Sequence, residues 1–141
     1  MPTAFLPQLP LFRVLVAEDN AINQKVFSIL LRETGAEVDV VSDGAQALAA
    51  QRSKPYDLIL MDLHMPVMED WEATRQIRRL QQRQPVIVAA TADVVGGVRE
   101  KCRDAGMDDY LSKPFTRDQL LKVVRGVHER RASADAVPKA S

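Results

Sequence analysis

Five polar side chains stand directly after short apolar runs in this sequence, and their types suit chemistry on an anionic group. Two are the adjacent acids Glu18 and Asp19, and a third acid, Asp62, ends another apolar run. The other two are Thr91 and Lys113, which each follow a further run. If the runs are parallel strands, these side chains meet at one sheet edge, because the carboxyl ends of such strands lie together.

The three acids would repel one another if they shared a pocket. At a separation of ~5 Å and an effective dielectric constant of about 20, each pair costs on the order of 3 kcal/mol. A divalent cation offsets this repulsion, and carboxylate oxygens suit Mg²⁺, or Mn²⁺ in its place. The set of Glu18, Asp19 and Asp62 therefore predicts a magnesium site.

Lys113 and Thr91 supply the other half of a phosphoryl-transfer site. An ammonium beside carboxylates and a metal can pair with an arriving anion, and the Thr91 hydroxyl adds a hydrogen-bond donor. Ala92, next to it, leaves space for that anion. Asp62 is then the predicted nucleophile, while its neighbours neutralise charge on the phosphoryl oxygens.

Apolar runs alternate with helical patterns along the chain. The runs occupy residues 14–17, 38–41, 58–61, 86–90 and 110–111. At least three are continuous, as expected for strands buried on both faces of a parallel sheet. Five strands alternating with five helices predict an α/β sandwich with right-handed crossovers.

The first helix is predicted from an apolar stripe that ends before Gly35, a residue type that stops helices. The stripe consists of Ile22, Val26, Ile29 and Leu30. A similar stripe near the C-terminus predicts the last helix, and residues 43–48, 70–80 and 94–104 are the predicted helices between them.

Composition limits the class of protein. The 141 residues correspond to about one domain, and 46% hydrophobic residues suffice for a core. With 19 basic and 19 acidic residues, the net charge of zero disfavours a nucleic-acid binder or a polybasic membrane-surface module. The single cysteine, Cys102, favours a reducing, cytoplasmic location.

Residues 1–12 are interpreted as an arm or linker, 13–129 as the domain, and 130–141 as a flexible tail.

Four motifs in order resemble the receiver domain of two-component response regulators: VLVAEDN, DLILMDLHMP, TA and YLSKPF. The resemblance covers roughly residues 13–128, and the strings EDNAINQKV and REKCRDAGMDDYLSKPF look most like receivers of hybrid sensor histidine kinases. It implies a flavodoxin-like (βα)5 three-layer sandwich with a five-stranded parallel sheet in the order 2-1-3-4-5.

The resemblance also implies roles for single residues. Asp62 resembles the phosphoacceptor, and Glu18 with Asp19 resembles the acidic pair of the family. Asp19, Asp62 and the backbone carbonyl of His64 would then hold Mg²⁺. Tyr110 resembles the switch aromatic that turns inward when the hydroxyl residue moves.

The phosphoryl group itself is expected to contact Thr91 and Lys113, helped by backbone N–H groups near Leu63 and Ala92. In the family the peptide bond between Lys113 and the following Pro114 can be cis, which proline permits.

The sequence departs from the family pattern at one point. Glu69–Asp70 stand where the family usually has Asp-Gly at a tight turn into the third helix. Asp70 is a suitable N-cap for that helix.

Together these features predict a phosphorylation-switched signalling domain. Its expected donors are a histidine kinase or a histidine phosphotransfer protein, and the expected dimer surface is helix four, strand five and helix five. Alternatives are a free-standing response regulator, a receiver that works without phosphorylation, a flavin or nucleotide enzyme, and an aspartate-nucleophile phosphohydrolase. The acidic segment after the first strand disfavours the flavin enzyme, and His64, where a second Asp is required, disfavours the phosphohydrolase.

Overall fold

The computed structural model describes residues 12–63, 68–91 and 98–136. The strands are β1 Arg13–Ala17, β2 Glu37–Val41, β3 Leu58–Leu63, β4 Val86–Thr91 and β5 Asp109–Ser112. The helices are α1 Ala21–Arg32, α2 Gly44–Ser53, α3 Met68–Arg78, α4 Val98–Ala105 and α5 Arg117–Ala136. Strands and helices alternate throughout, as the sequence predicts.

All five strands form one parallel sheet in the order β2-β1-β3-β4-β5. Every residue of the central strand β3 is buried, which explains why its sequence is a continuous apolar run rather than an alternating one. The register places Leu58 opposite both Val14 and Val86, so the three central strands begin at the same level. The predicted fold class and strand order are confirmed.

Alternate strand residues feed two hydrophobic cores, one on each face of the sheet. On one face, Val16, Leu60 and Val88 pack with α1 and α5. On the other face, Leu15, Ile59 and Ile87 pack with α2, α3 and α4. The sheet is thus covered on both faces by helices, so the strand ends are where a site can form.

Helix α1 forms where predicted, but it turns a different face to the sheet. Phe27 and Leu31 are buried, whereas Ile22, Val26 and Ile29 are 73%, 48% and 56% exposed. The helix carries two apolar rows, and the period of the pattern does not say which row packs. Asn20 fixes the first turn, because its side-chain oxygen accepts the N–H of Asn23 at 3.0 Å.

The two boundaries of the domain also differ from the prediction. Phe12, the last residue of the predicted arm, is buried in the core. Helix α5 continues to Ala136, so the prediction of a flexible tail is wrong for residues 130–136. Their sequence, rich in Ala and Arg, has a high helix propensity. No helix among the described residues is long and apolar enough to cross a membrane.

Candidate functional site

The predicted chemical residues converge at the carboxyl edge of the sheet, which is the edge formed by the strand ends. Glu18 directly follows β1, Asp62 lies near the end of β3, and Thr91 ends β4. All three are buried, with 1%, 7% and 3% of their surfaces exposed. The register pairs Leu63 with Thr91, one residue beyond Asp62. A parallel sheet with short connections places these ends side by side, which the sequence argument anticipated.

Lys113 completes this set from β5. Its ammonium Nζ is ion-paired with Oδ1 of Asp62, whose side chain is only 1% exposed. The backbone N–H of Lys113 donates to the carbonyl oxygen of Thr91 at 2.8 Å, which continues the β4–β5 pairing beyond the strand. The Lys113–Pro114 peptide bond is cis, as expected from the sequence resemblance.

Glu18 and Asp62 are two acids in one buried space. Glu18 Oε2 accepts the N–H of Asn20 at 2.9 Å. Among the buried side chains that the structure describes, Glu18 Oε1 and both Asp62 carboxylate oxygens accept no hydrogen bond from a donor with good geometry. Burial first, and then the adjacent Asp62 carboxyl, raise the pKa of Glu18 to about 8, against the lowering effects of the Asn20 N–H and the Lys113 ammonium.

This arrangement fits a hard divalent cation. Buried carboxylate oxygens that lack well-aligned hydrogen bonds are ligands that Mg²⁺ takes, usually together with several waters. Asp19 is exposed beside Glu18, at the rim of the same edge. No three acidic, imidazole or thiol side chains of the described residues enclose a metal by themselves.

Other predicted residues fall in different places. Leu63 is buried at the end of β3, and Tyr110 is half-buried in β5, opposite Ala89. His64 and Ala92 lie outside the described residues. Helix α3 begins at Met68, so Asp70 lies inside its first turn and the suggested N-cap role for Asp70 is wrong.

Two neighbours of the acids were not anticipated from the sequence. Gln24 Nε2 donates to the carbonyl oxygen of Glu18 at 2.5 Å, which ties α1 to the loop that carries the acids. A groove of about 390 Å³ lies beside Lys113 and Pro114 and is lined on its other side by Asn23, Val26 and Phe27 of α1, with Phe115. Val26 of the exposed apolar row of α1 lines this groove, and the helical spacing of that row in the sequence does not indicate that it faces solvent.

Comparison with known proteins identifies relatives over most of the chain. The family model described as the response regulator receiver domain matches residues 14–125. Peroxide stress-activated histidine kinase mak1 of Schizosaccharomyces pombe is 43% identical over 82% of this chain and 8% of its own length. Signal transduction histidine-protein kinase BarA of Shigella flexneri is 39% identical over 76% of this chain and 12% of its own length. The chain thus spans a small part of these relatives.

Solved structures agree in fold. The receiver domain of sensor histidine kinase PA1611 from Pseudomonas aeruginosa, with a magnesium ion in its active site cleft, has a TM-score of 0.76 and 41% identity. That match covers 84% of this chain and 98% of the other. The receiver domain of Ssk1 from Saccharomyces cerevisiae, crystallised with the histidine phosphotransfer protein Ypd1, has a TM-score of 0.77 and 30% identity, covering 90% and 93%.

Proposed function

Because the chain belongs to the response regulator receiver domain family, we propose that Asp62 is its phosphoacceptor and that phosphorylation switches a protein-binding surface. The observation that carries the proposal is the state of the Asp62 carboxylate. It is buried, paired with the Lys113 ammonium, and accepts no well-aligned hydrogen bond from the described residues. A buried carboxylate that is held by a single ammonium keeps oxygen lone pairs available, which suits a nucleophile better than a purely structural group.

The transfer forms one bond and breaks one. An oxygen of Asp62 attacks the phosphorus of a phosphohistidine, the phosphorus–nitrogen bond breaks, and the imidazole leaves and takes up a proton. The Lys113 ammonium already lies beside Asp62. It can therefore pair with a negatively charged phosphoryl oxygen once the transfer has taken place. Thr91, at the end of the adjacent strand, offers its hydroxyl to a second oxygen.

The proposed Mg²⁺ ligands are the carboxylates of Asp62 and Asp19 and the backbone carbonyl oxygen of His64. Glu18 is the proposed third acid of the site. The ion would neutralise charge on the carboxylates and on the phosphoryl oxygens. Support comes from the buried carboxylate oxygens that accept no well-aligned hydrogen bond and from the magnesium ion in the related PA1611 receiver. Backbone N–H groups at Leu63 and Ala92 are the proposed further donors.

The proposed switch runs from Thr91 to Tyr110. Thr91 and Ser112 are opposite one another, so the end of β4 is in register with the strand that carries Tyr110. Tyr110 is half-buried and packs against the core formed with α4. A movement of Thr91 toward the phosphoryl group would therefore change the space available to the Tyr110 ring. This would alter the surface formed by α4, β5 and α5, where the proposed dimer contact also lies. Hydrolysis of the acyl phosphate at the same site would reset the domain.

The proposed donor docks on α1. Ile22, Val26 and Ile29 form an exposed apolar row, and Val26 also lines the groove beside Lys113 and Pro114. This row leads directly to the carboxyl edge, so a partner that covers it brings its histidine close to Asp62. An apolar row of helical spacing fits a helix of the partner. The related Ssk1 receiver is bound to a histidine phosphotransfer protein, which supports a partner of that kind.

The setting of the domain is also proposed. Its relatives are long histidine kinases, of which the chain matches a small part, for example 7% of the hybrid signal transduction histidine kinase L of Dictyostelium discoideum. This favours a receiver within a hybrid kinase over a free-standing regulator. A cytoplasmic location stays a prediction.

The test is phosphorylation by a small donor. With Mg²⁺ and acetyl phosphate the protein should take up one phosphoryl group, and Asp62→Asn should take up none. Asp118→Asn is the matched control, since the side chain of Asp118 is 94% exposed in the first turn of α5. Equal uptake by Asp62→Asn and by the unchanged protein would contradict the proposal.

A further inference from the structure

The chain enters the fold at the amino edge of the sheet, opposite the site. Phe12 is buried there, and its ring packs edge-on against His128 of α5, with the ring centroids 5.4 Å apart and the planes at 79°. The carbonyl oxygen of Phe12 accepts the N–H of Glu37 at 2.9 Å. Phe12, the first residue that the structure describes, therefore contacts the last helix.

Asp57 also links the start of the domain to helix α5. Its Oδ2 accepts the backbone N–H of Arg13 at 2.8 Å. Its Oδ1 accepts Nε of Arg131 at 2.9 Å and Nη1 of Arg83 at 2.6 Å. Arg131 Nη1 also donates to the carbonyl oxygen of Gln84 at 2.8 Å. The Asp57 and Arg131 side chains are 9% and 13% exposed, so this ion pair is largely shielded from water and from salt.

Helix α5 connects the two edges of the sheet. Its 20 residues correspond to about 30 Å, and it begins at Arg117, just after the Lys113–Pro114 bond at the carboxyl edge. Leu120, Val124 and Val127 are almost fully buried, so the helix packs closely on the sheet between its two edges. Its far end is the part that Asp57 and Phe12 hold.

We propose that Phe12, Asp57, His128 and Arg131 form an amino-edge latch, which couples the polypeptide preceding the domain to the position of α5. A shift of α5 at the carboxyl edge would move His128 and Arg131, and with them the point where the chain enters. A pull on the entering chain would in turn bias α5, because coupling between two sites is reciprocal. The existence of the latch is independent of the proposed function, and its response to phosphorylation rests on it.

Hydrogen exchange of backbone amides in the full chain tests the reciprocal link. Arg131→Gln should speed exchange of the Arg13 amide by at least about tenfold, since the carboxylate that accepts this N–H loses its partner on α5. Phe12→Leu should in turn speed exchange of the amides around His128. Arg130→Gln is the control, because Arg130 is exposed on the same helix. The amide of Ile59 in the central strand serves as the reference for global unfolding.

A structural clamp without coupling predicts a different pattern. Each variant would then speed exchange only next to its own substitution, or equally at Ile59, and that result would overturn the proposal. A change that crosses from one segment to the other, with Ile59 unchanged, supports it.

Beryllofluoride with Mg²⁺, a stand-in for the phosphoryl group, tests the response of the latch. We expect chemical-shift changes of the backbone amides of Thr91 and Tyr110, and also of Phe12 and Arg13. The changes at Phe12 and Arg13 should be lost in Arg131→Gln and kept in Arg130→Gln. Shifts at Thr91 without shifts at Arg13 would overturn the coupling and leave the proposed function standing. No shift at either place would contradict both.

Discussion

The ammonium of Lys113 reaches over the end of β4 to pair with Oδ1 of Asp62 at the end of β3. The same residue is held by its backbone N–H on the carbonyl oxygen of Thr91. One residue thus links three neighbouring strand ends. The cation that pairs with the buried Asp62 carboxylate is also the group that, in the proposed function, contacts the phosphoryl oxygens.

Removing this cation should destabilise the metal-free protein. Lys113→Ala leaves the buried Asp62 carboxylate unpaired beside Glu18, and we expect a loss of about 2 kcal/mol in the free energy of unfolding. Mg²⁺ at millimolar concentration should restore much of it, because the ion supplies the missing charge. Urea denaturation with EDTA and with Mg²⁺ measures both effects, and the exposed Lys122→Ala is the control. An unchanged stability in EDTA would contradict the importance of the ion pair.

The stability of the metal-free protein should fall as pH rises from about 5 to about 8. The pKa of Glu18 is raised from 4.5 to about 8 in the folded protein, so over this range the folded state holds a proton that the unfolded state has lost. Stability contributed by this proton is fully present below pH 4.5 and is lost as the pH passes through the folded pKa. Glu18→Gln should flatten the dependence, measured by denaturation in EDTA at several pH values. An identical slope in that variant would assign the effect to another group.

The exposed row of α1 should affect transfer from a protein donor and leave stability nearly unchanged. Val26→Asp places a charge at 48% exposure, so the free energy of unfolding should change by no more than about 0.5 kcal/mol. Phosphotransfer from a histidine phosphotransfer protein should slow at least about tenfold. This factor corresponds to a loss of about 1.4 kcal/mol in the free energy of docking. Phosphorylation by acetyl phosphate should stay normal, and the exposed Lys25→Ala serves as the control. Equal slowing with both donors would place the effect at the site and contradict docking on α1.

Two glycines should respond to alanine in opposite directions. Gly106 has φ +106°, and an added Cβ would lie 3.0 Å from Cγ of Arg78. That arginine bonds Gly106, Pro85 and Asp108, so it has little freedom to move. Gly106→Ala should therefore lower the free energy of unfolding by about 1–2 kcal/mol. Gly126, inside α5 with nothing within 4 Å of an added Cβ, should gain up to about 1 kcal/mol as Ala. Thermal or urea denaturation of the two variants measures both changes in the free energy of unfolding. Changes of the same sign in the two variants would contradict this prediction.

The sequence was sufficient to predict the strands, their order by resemblance, and the convergence of the acids with Lys113. These follow from continuous apolar runs and from the geometry of parallel sheets, which leaves few choices. Asp62 stood out in the sequence only together with Glu18, Asp19, Thr91 and Lys113, and its role as phosphoacceptor stays a prediction.

Other features depend on tertiary contacts that no local pattern contains. The phase of α1 depends on Asn20 and on the packing of Phe27, since Ile22 and Val26 have the same helical spacing. The length of α5 is supported by Arg131, whose partner Asp57 lies 74 positions earlier in the chain. The contacts of Arg78 likewise join distant segments, up to 30 positions apart. Such pairs become visible only when the sheet has brought the segments together.

The most direct test of the account locates the phosphoryl group itself. After reaction with acetyl phosphate and Mg²⁺, borohydride reduction converts an aspartyl phosphate into homoserine, which mass spectrometry of peptides can place on the sequence. The account predicts homoserine at position 62 and nowhere else. Homoserine at position 19 or at any other aspartate, with Asp62 intact, would contradict it.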